Sequence, residues 1–520
     1  MRGMARTHLS ELIAQFPILD SRGSGDPDID AITYDSRTAR PGSIFFAVPG
    51  QHVDGHDFID TAVAAGASAI FCERYPEHIV PDVVYIRVAN IRQAISRISA
   101  RFFENPSGSL PVIGVTGTDG KSTTVYLIDQ ILSLLDVDSG FISTPMIKRD
   151  FKVEKNPFRQ STPEAPELHS FLAEMRDNGK EFAVVEATSH GLSEKTSRLR
   201  DLRFHVAVFT NISHEHLDFH GSFEQYRSDK ANLFRALDRT AERRRESDYP
   251  VFGVVNLDDP NAYYFRHATR QPTLTYSVTN DTADVYASAI RATARDTSCV
   301  VHWRREAREV TVPLPGPFNV ENVLAAITTV AHLLDRNPLD LLEVVPMLKS
   351  LPGRMEIVDG TLPYLPIVDY AHTPAAFEKI LPLIKGYTEN RLILVFGSAG
   401  ERDLDKRAML GEIAARNADL IVLADEDPRG EPPEKILEEV ARGCTRVSPS
   451  MQAEGRLHII PDRREAIRYA LGSAHRGDTL LFLGKGHETS IIYDDFVMPW
   501  YEADVVSEEI ARTSGKGART

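Results

Sequence analysis

Lys121 stands where a lysine can meet a phosphate. It follows Pro111-Val112-Ile113-Gly114-Val115-Thr116-Gly117-Thr118-Asp119-Gly120 and precedes Ser122-Thr123-Thr124. The apolar run from Val112 to Val115 predicts a strand, and Val125-Tyr126-Leu127-Ile128 predicts a helix. A strand, a glycine-rich turn and a helix start aim backbone N–H groups at an anion. Lys121 adds charge, and the Ser122 hydroxyl offers Mg²⁺ an oxygen. Such a cradle serves a nucleoside triphosphate. The generic phosphate-loop pattern wants a glycine at Val115, between Gly114 and Gly117, so an ordinary strand-to-helix turn is the alternative.

Further chemistry sits at two more strand ends. Glu186 closes an apolar run that starts at Phe182. A carboxylate there suits Mg²⁺, a hard ion that prefers oxygen, while helix capping is the plainer reading. A second run ends at Phe209 and leads into Ser213-His214-Glu215-His216-Leu217-Asp218-Phe219-His220. The crowding of histidines and acids invites a zinc reading. The spacing is not His-Glu-x-x-His, however, and the glycine-rich turn favours magnesium with nucleotide. Lys230, in Tyr226-Arg227-Ser228-Asp229-Lys230-Ala231-Asn232-Leu233-Phe234, reads by itself as a solvated helix lysine.

These residues need elements to hold them. Short apolar runs such as Ser43 to Val48 and Ala69 to Cys72, with a helical stretch from Phe58 to Val63, predict a small N-terminal α/β unit. Glu104-Asn105-Pro106-Ser107-Gly108-Ser109 reads as a linker. Runs at 112–115, 182–186 and 205–209, each flanked by helical patterns, predict a parallel sheet with crossover helices. The stretch 282–313 is rich in β-formers and predicts an antiparallel edge to the central domain. Leu351-Pro352-Gly353-Arg354 is a second break. Beyond it, runs at 366–369, 392–396, 420–423 and 479–483 predict a second, doubly wound sheet, whose ligands would gather at the C-terminal strand ends.

Bulk properties narrow the partners. A length of 520 residues fits about three to four domains, and 42% hydrophobic with 26% charged residues is ordinary for a globular chain. The net charge of −15 argues against nonspecific nucleic-acid binding and against an anionic membrane surface. Cys72, Cys299 and Cys444 lie far apart, with neither metal-site spacing nor a disulfide framework, as in a reducing cytoplasm. The first residues do not read as a signal peptide, and no 18-residue apolar run predicts a membrane span. Residues 513–520 read as a frayed tail.

Taken together, the strings resemble the Mur ligase family. Thr116-Gly117-Thr118-Asp119-Gly120-Lys121-Ser122 is similar to the phosphate loop that this family shares with folylpolyglutamate synthases, with Asp119 in the usual place of Asn. Thr210-Asn211-Ile212-x-x-Glu215-His216-Leu217-Asp218-x-His220 resembles the family's next motif, with Glu215 for Asp. Asn256-Leu257-Asp258-Asp259, Gly316-Pro317-Phe318-Asn319-Val320-x-Asn322, Gly353-Arg354-Met355-Glu356 and Val368-Asp369-Tyr370-Ala371-His372 follow in order. The resemblance covers nearly the whole chain. It implies an α/β protein of three domains, with a central P-loop-type ATPase sheet and a C-terminal Rossmann-like doubly wound sheet. The domains would be 1–108 for uridine nucleotide, 109–351 for ATP and 352–520 for an amino acid.

The site residues are likewise implied by the resemblance. ATP would be held by Gly117, Thr118, Asp119, Gly120, Lys121, Ser122, Thr123, Asn322, Arg354 and Asp369. Two Mg²⁺ ions are implied, the first on Ser122 and the second on Glu186, His216 and a carbamylated Lys230. Carbamylation has a physical logic: a neutral amine that adds CO₂ becomes an anionic oxygen ligand. With Lys121, these are the implied catalytic residues. Tyr34, Ser36, Gln51, His52, Val53, Gln160, Ser161, Thr162, Thr188, Glu194 and Arg198 match positions for the UDP-peptide. A two-residue insertion precedes Arg198. Arg402, Glu426, Asp427, Pro428, Arg429, Gly484 and Glu488 match the amino-acid site, where arginine suits carboxylate because its planar fork bonds it bidentately. Asp427 replaces the family's Asn, and an acid beside Arg429 could neutralise it.

The implied activity adds a diamino acid (lysine, ornithine or meso-diaminopimelate) to UDP-MurNAc-L-Ala-D-Glu, through an acyl phosphate, in peptidoglycan precursor synthesis. A cytoplasmic monomer with no nucleic-acid or membrane partner is expected. His372 and His487 are candidate general bases, with structural roles as the alternative. Two other readings remain at this level: a folylpolyglutamate synthase, which would not need the uridine-binding N-terminal domain, and a nucleotide-binding protein without chemistry.

Overall fold

The computed structural model describes residues 7–50, 53–158, 161–213, 215, 217–242, 249–359 and 361–516. It divides into two compact units, Met1–Asp284 with Ala325–Pro338, and Val285–Leu324 with Leu339–Thr520.

Apart from a two-stranded pairing of Thr7–His8 with Asp28–Ile29, the strands of the first unit described here belong to two sheets. The N-terminal sheet orders its strands Asp20–Arg22, Val84–Arg87, Ala69–Cys72, Ser43–Phe46 and Ala31–Thr33. All pairings are parallel except that of Asp20–Arg22. The strands at 43–46 and 69–72 are buried along their whole length, which is why they read as continuous apolar runs rather than alternating ones.

The second sheet carries the phosphate turn. Val112–Thr116 lies between Phe182–Glu186 and Phe204–Phe209, parallel to both. Ser139–Ile142 pairs beyond Phe182–Glu186, while Phe252–Asn256 and then Thr273–Ser277 extend the other side. The chain therefore leaves the central strand in one direction and returns in the other. Such a reversal leaves a crevice at the C-terminal strand ends. Register decides what stands there: Val115 pairs with Glu186 on one side and Val208 on the other. Ser139–Ile142 and Thr273–Ser277 escaped the sequence reading because serines and threonines interrupt their apolar pattern.

In the second unit, Val285–Ala292, Thr297–Trp303 and Glu306–Val312 form an antiparallel meander. A six-stranded sheet follows in the order Glu356–Ile357, Leu365–Asp369, Thr479–Leu483, Leu392–Phe396, Leu420–Leu423 and Leu457–Ile459. Only the two-residue edge strand is antiparallel. Alternate side chains feed opposite cores. Leu392, Leu394 and Phe396 join one hydrophobic cluster, and Ile393 and Val395 join the other. Helices Pro374–Tyr387, Asp405–Asn417 and Pro433–Val447 cover the first face, Arg463–Gly472 and Glu502–Lys516 the second. This is the doubly wound arrangement expected from the four apolar runs. The expected frayed tail is corrected in part: the last helix extends to Lys516.

Candidate functional site

The phosphate turn is held by the neighbouring strand end. Thr118 N–H donates to the Asn211 carbonyl at 2.8 Å and Asp119 N–H to Asn211 Oδ1 at 2.9 Å. Thr210 Oγ1 donates back to the Asp119 carbonyl at 2.7 Å. Gly117 is pressed so close that a Cβ there would lie 1.9 Å from Thr210 Oγ1. Gly120, at φ +80°, caps helix Lys121–Leu134 with no side-chain cap. The first N–H groups of that helix are thus left for an anion, and the helix dipole favours one. Lys121 Nζ folds over the turn and donates to the Thr118 carbonyl at 2.8 Å. Asp119 is exposed.

Glu186 is 2% exposed, yet its carboxylate is fully engaged. Oε2 accepts from Ser122 Oγ at 2.7 Å and from Thr144 N–H at 2.9 Å, and Oε1 from Thr144 Oγ1 at 2.9 Å. Helix capping, the plainer reading, is not what these bonds do. Ser122 and Glu186 therefore meet as a pair of oxygen donors beside the turn. That donor set fits Mg²⁺, which binds oxygen and keeps much of its water. Thr144 carried no sequence signal, since it lies in a short loop with no motif.

Lys230 is not solvated. It is 2% exposed on helix Phe223–Ala241 and donates to the Gly117 carbonyl at 2.5 Å. Its Nζ also lies 4.6 Å from the centre of the Tyr226 ring, whose hydroxyl meets Thr118 Oγ1 at 3.0 Å. Burial, reinforced by Lys121, pushes the Lys230 amine well below the ordinary lysine range, against the pull of Glu215, Glu186 and Asp119. A neutral amine is the form that can add CO₂.

The zinc reading does not survive for His220. Its Nδ1 lies 2.7 Å from Asp229 Oδ2 and its Nε2 lies 3.1 Å from Ser189 Oγ, so both ring nitrogens are already paired inside the protein. Among the described residues no group of three His, Cys, Asp or Glu side chains could hold a metal. His214 and His216 lie outside the described residues, as do Gln51, His52 and Gln160.

Several of the residues matched to the UDP-peptide converge on Glu186. Thr162 Oγ1 donates to the Glu186 carbonyl at 3.1 Å and lies 2.8 Å from Thr188 Oγ1. Arg198 donates to the Thr162 carbonyl at 3.1 Å and pairs with Glu164 at 2.6 Å. Glu164 immediately precedes helix Ala165–Asp177 without a side-chain cap bond, and Glu167 in its first turn accepts from Tyr34 Oη at 2.8 Å. Ser161 is half-buried, and Ser36 is buried in a short 3₁₀ turn. Val53 and Glu194 are exposed.

In the second unit, Asp369 accepts from Met355 N–H and Ala371 N–H, each at 2.8 Å, and Arg354 lies 4.8 Å from the centre of the Tyr370 ring. Burial pushes the Asp369 carboxyl up, against Arg354 and these two bonds. Asn322 is buried on helix Pro317–Leu333, 3.4 Å from Asn319 Oδ1. Burial and the nearby Arg354 hold the His487 imidazole down at about 3. It stays neutral and weakly basic at physiological pH, which favours its structural reading over a general base.

The amino-acid positions form one cluster. Lys485, buried at 0%, donates to Asp427 Oδ1 at 2.8 Å and to Glu488 Oε2 at 2.6 Å. Asp427 Oδ1 also accepts from Ile492 N–H at 3.0 Å. The expectation that Asp427 would neutralise Arg429 is thereby corrected: the acid is matched by Lys485. Arg429 stands in left-handed backbone at φ +55°, and its buried Nε has no hydrogen-bond partner among the described residues. Gly484, at φ +100°, packs against Glu426, whose Oε2 would lie 2.5 Å from a Cβ. Pro428 is buried and Arg402 exposed. Lys485 lies between the matched Gly484 and Glu488, and nothing in the sequence signals its pairing with Asp427.

Three family models match the chain: the Mur ligase family catalytic domain over residues 28–103, the Mur ligase middle domain over 115–330, and the Mur ligase glutamate ligase domain over 353–486. A UDP-N-acetylmuramyl-tripeptide synthetase of Borrelia garinii subsp. bavariensis is 43% identical over 492 residues, covering 94% of each chain. A UDP-N-acetylmuramoyl-L-alanyl-D-glutamate--2,6-diaminopimelate ligase of Geobacillus kaustophilus is 38% identical over 494 residues, covering 94% of this chain and 96% of the relative. A solved structure of a ligase with that same diaminopimelate activity in its name superposes with a TM-score of 0.68 at 29% identity, over 98% of this chain and all of the other.

Proposed function

Since the chain belongs to the Mur ligase family of ATP-dependent amide ligases, we propose that it joins a diamino acid to UDP-MurNAc-L-Ala-D-Glu in peptidoglycan precursor synthesis. The observation that carries this is the buried Lys230 amine bonded to the phosphate turn, beside the Ser122–Glu186 pair. The chemistry asks little of the protein beyond positioning and charge. The D-glutamate carboxylate attacks the γ-phosphate of ATP, giving an acyl phosphate and ADP. The amine of the diamino acid then attacks the acyl carbon, and phosphate leaves.

Residues 1–108 are proposed to take the uridine nucleotide, 109–351 the ATP and 352–520 the amino acid. Gly117 to Gly120 and the uncapped helix start wrap the phosphates with backbone N–H groups. Lys121 turns from the Thr118 carbonyl onto the phosphate oxygens. Asn322 would meet the adenine, and Arg354 and Asp369 the nucleotide. Thr162, Thr188 and Arg198 orient the peptide carboxylate next to Glu186. Ser122 would hold one Mg²⁺, and Glu186, His216 and a carbamylated Lys230 a second; the ions would supply positive charge to the transferring phosphoryl group. Arg402 and Arg429 receive a carboxylate of the incoming amino acid, with Glu426, Asp427, Pro428, Gly484 and Glu488 lining its site. The enzyme is proposed to act as a cytoplasmic monomer.

Incubating the protein with ATP, Mg²⁺ and UDP-MurNAc-L-Ala-D-Glu, with lysine, ornithine and meso-diaminopimelate in competition, tests the reading. A UDP-tripeptide containing one of them is expected. ATP hydrolysis that no substrate pair stimulates would overturn it.

A further inference from the structure

We infer that Arg407 is a positioning residue for the amino-acid site, clamping together the two loops that carry Arg402 and Arg429. This rests on the function proposed above. Arg407 lies on helix Asp405–Asn417 with its side chain 0% exposed. Its guanidinium takes Glu431 in a two-pronged bond, Nη2 to Oε1 at 2.8 Å and Nη1 to Oε2 at 3.0 Å. Glu431 directly follows Arg429-Gly430, so the bond fixes that loop. Nη2 also donates to the Ala399 carbonyl, at 3.4 Å, in the loop that leads to Arg402.

The two loops touch through backbone as well. Gly400 N–H donates to the Asp427 carbonyl at 2.8 Å, and Glu401 N–H donates to Glu431 Oε1 at 2.5 Å. A Cβ on Gly400 would lie 1.9 Å from the Pro428 carbonyl oxygen. The carboxylate of Glu431 is thus shared by a buried guanidinium and by the opposite loop. A further bond ties Arg407 Nη1 to Glu439, on helix Pro433–Val447, at 2.7 Å. That bond leads away from the loops and can be cut separately. Arginine fits this junction because one rigid fork serves Glu431 bidentately, which a lysine ammonium cannot do.

The clamp makes a prediction that mere stabilisation does not. Loosening it should weaken capture of the amino acid while sparing the other two substrates. In the full-length enzyme, Arg407→Lys and Glu431→Gln are each expected to raise the KM for the diamino acid about tenfold or more. The KM values for ATP and UDP-MurNAc-L-Ala-D-Glu should stay within about twofold. Glu439→Gln should lower Tm and leave the amino-acid KM within about twofold. An unmoved amino-acid KM in both Arg407→Lys and Glu431→Gln overturns the inference, and so does a parallel rise of all three KM values with a fall in Tm. Should Arg407→Lys fail to fold, Glu431→Gln decides alone. A wild type that ligates no diamino acid overturns the proposed function and this inference with it. A working wild type with an unaffected KM in the variants overturns the inference only.

Discussion

Lys230 and Gly117, 113 residues apart in the chain, share a hydrogen bond of 2.5 Å from Nζ to the carbonyl oxygen. A helix side chain is thereby fixed to the middle of the phosphate turn, with Tyr226 one turn earlier tied to Thr118. The bond places a deprotonatable amine against the nucleotide site, where burial favours its neutral form.

Removal of that amine should abolish turnover. Lys230→Ala is expected to lose at least about a hundredfold in kcat, because the proposed carbamate on this amine would hold a Mg²⁺ that stabilises charge in the transition state. Bicarbonate should not restore activity, whereas a short-chain carboxylic acid should do so in part. Full activity of Lys230→Ala in an ATP-hydrolysis assay with all substrates would refute the carbamate.

The same amine should make stability depend on pH. Its folded-state pKa is depressed, so the unfolded chain binds the additional proton between that value and the ordinary lysine range. Stability of the bicarbonate-free protein should then rise with pH through that window, by up to about 1.4 kcal/mol per pH unit from this group. Lys230→Met should flatten this slope. Urea denaturation from neutral to mildly alkaline pH measures it, and identical slopes for the two proteins would contradict the assignment.

Gly117 is required by space. In Gly117→Ala the new Cβ would collide with Thr210 Oγ1, and the residue's φ of +156° is one that side chains rarely adopt. The turn must shift, and the Lys230 and Asn211 contacts with it. An ATP affinity at least about tenfold weaker is expected by calorimetric titration, with the fold retained by circular dichroism. Unchanged affinity would show that the turn tolerates the shift.

Lys485 should be coupled to Asp427. Lys485→Met leaves Asp427 and Glu488 without their common cation and is expected to cost about 3–5 kcal/mol of stability, measured by urea denaturation. Asp427→Asn in the same chain should recover part of that loss, since it removes one of the uncompensated charges. Additive effects in the double-mutant cycle would mean that the 2.8 Å contact does not carry the charge balance.

The fold was legible where uniform burial coincides with an unbroken apolar run. The strands at 112–116, 182–186, 392–396 and 479–483 are buried throughout, so each announces itself as an apolar run. Thr273–Ser277 and Leu457–Ile459 did not, being mixed in polarity or too short to show a pattern. The site was legible in the same uneven way. Glycines in a phosphate turn are constrained by the anion, so Gly117-Thr118-Asp119-Gly120-Lys121 carries its meaning locally. Thr144, Lys485 and Arg407 carry none, because each acts through a partner 24 to 58 residues away.

Residue types and their spacing thus pointed to a phosphate cradle, and the resemblance of the contiguous strings to the Mur ligase family implied the reaction class. Only the tertiary structure decided the charge states and pairings. A lysine at position 230 is the same letter whether solvated or buried, and burial, reinforced by Lys121, favours its neutral amine. Asp427 beside Arg429 in sequence looked like its counter-ion. Folding gave that role to Lys485, because strand ends bring residues 427 and 485 within bonding distance while the backbone at Arg429 turns into the left-handed region.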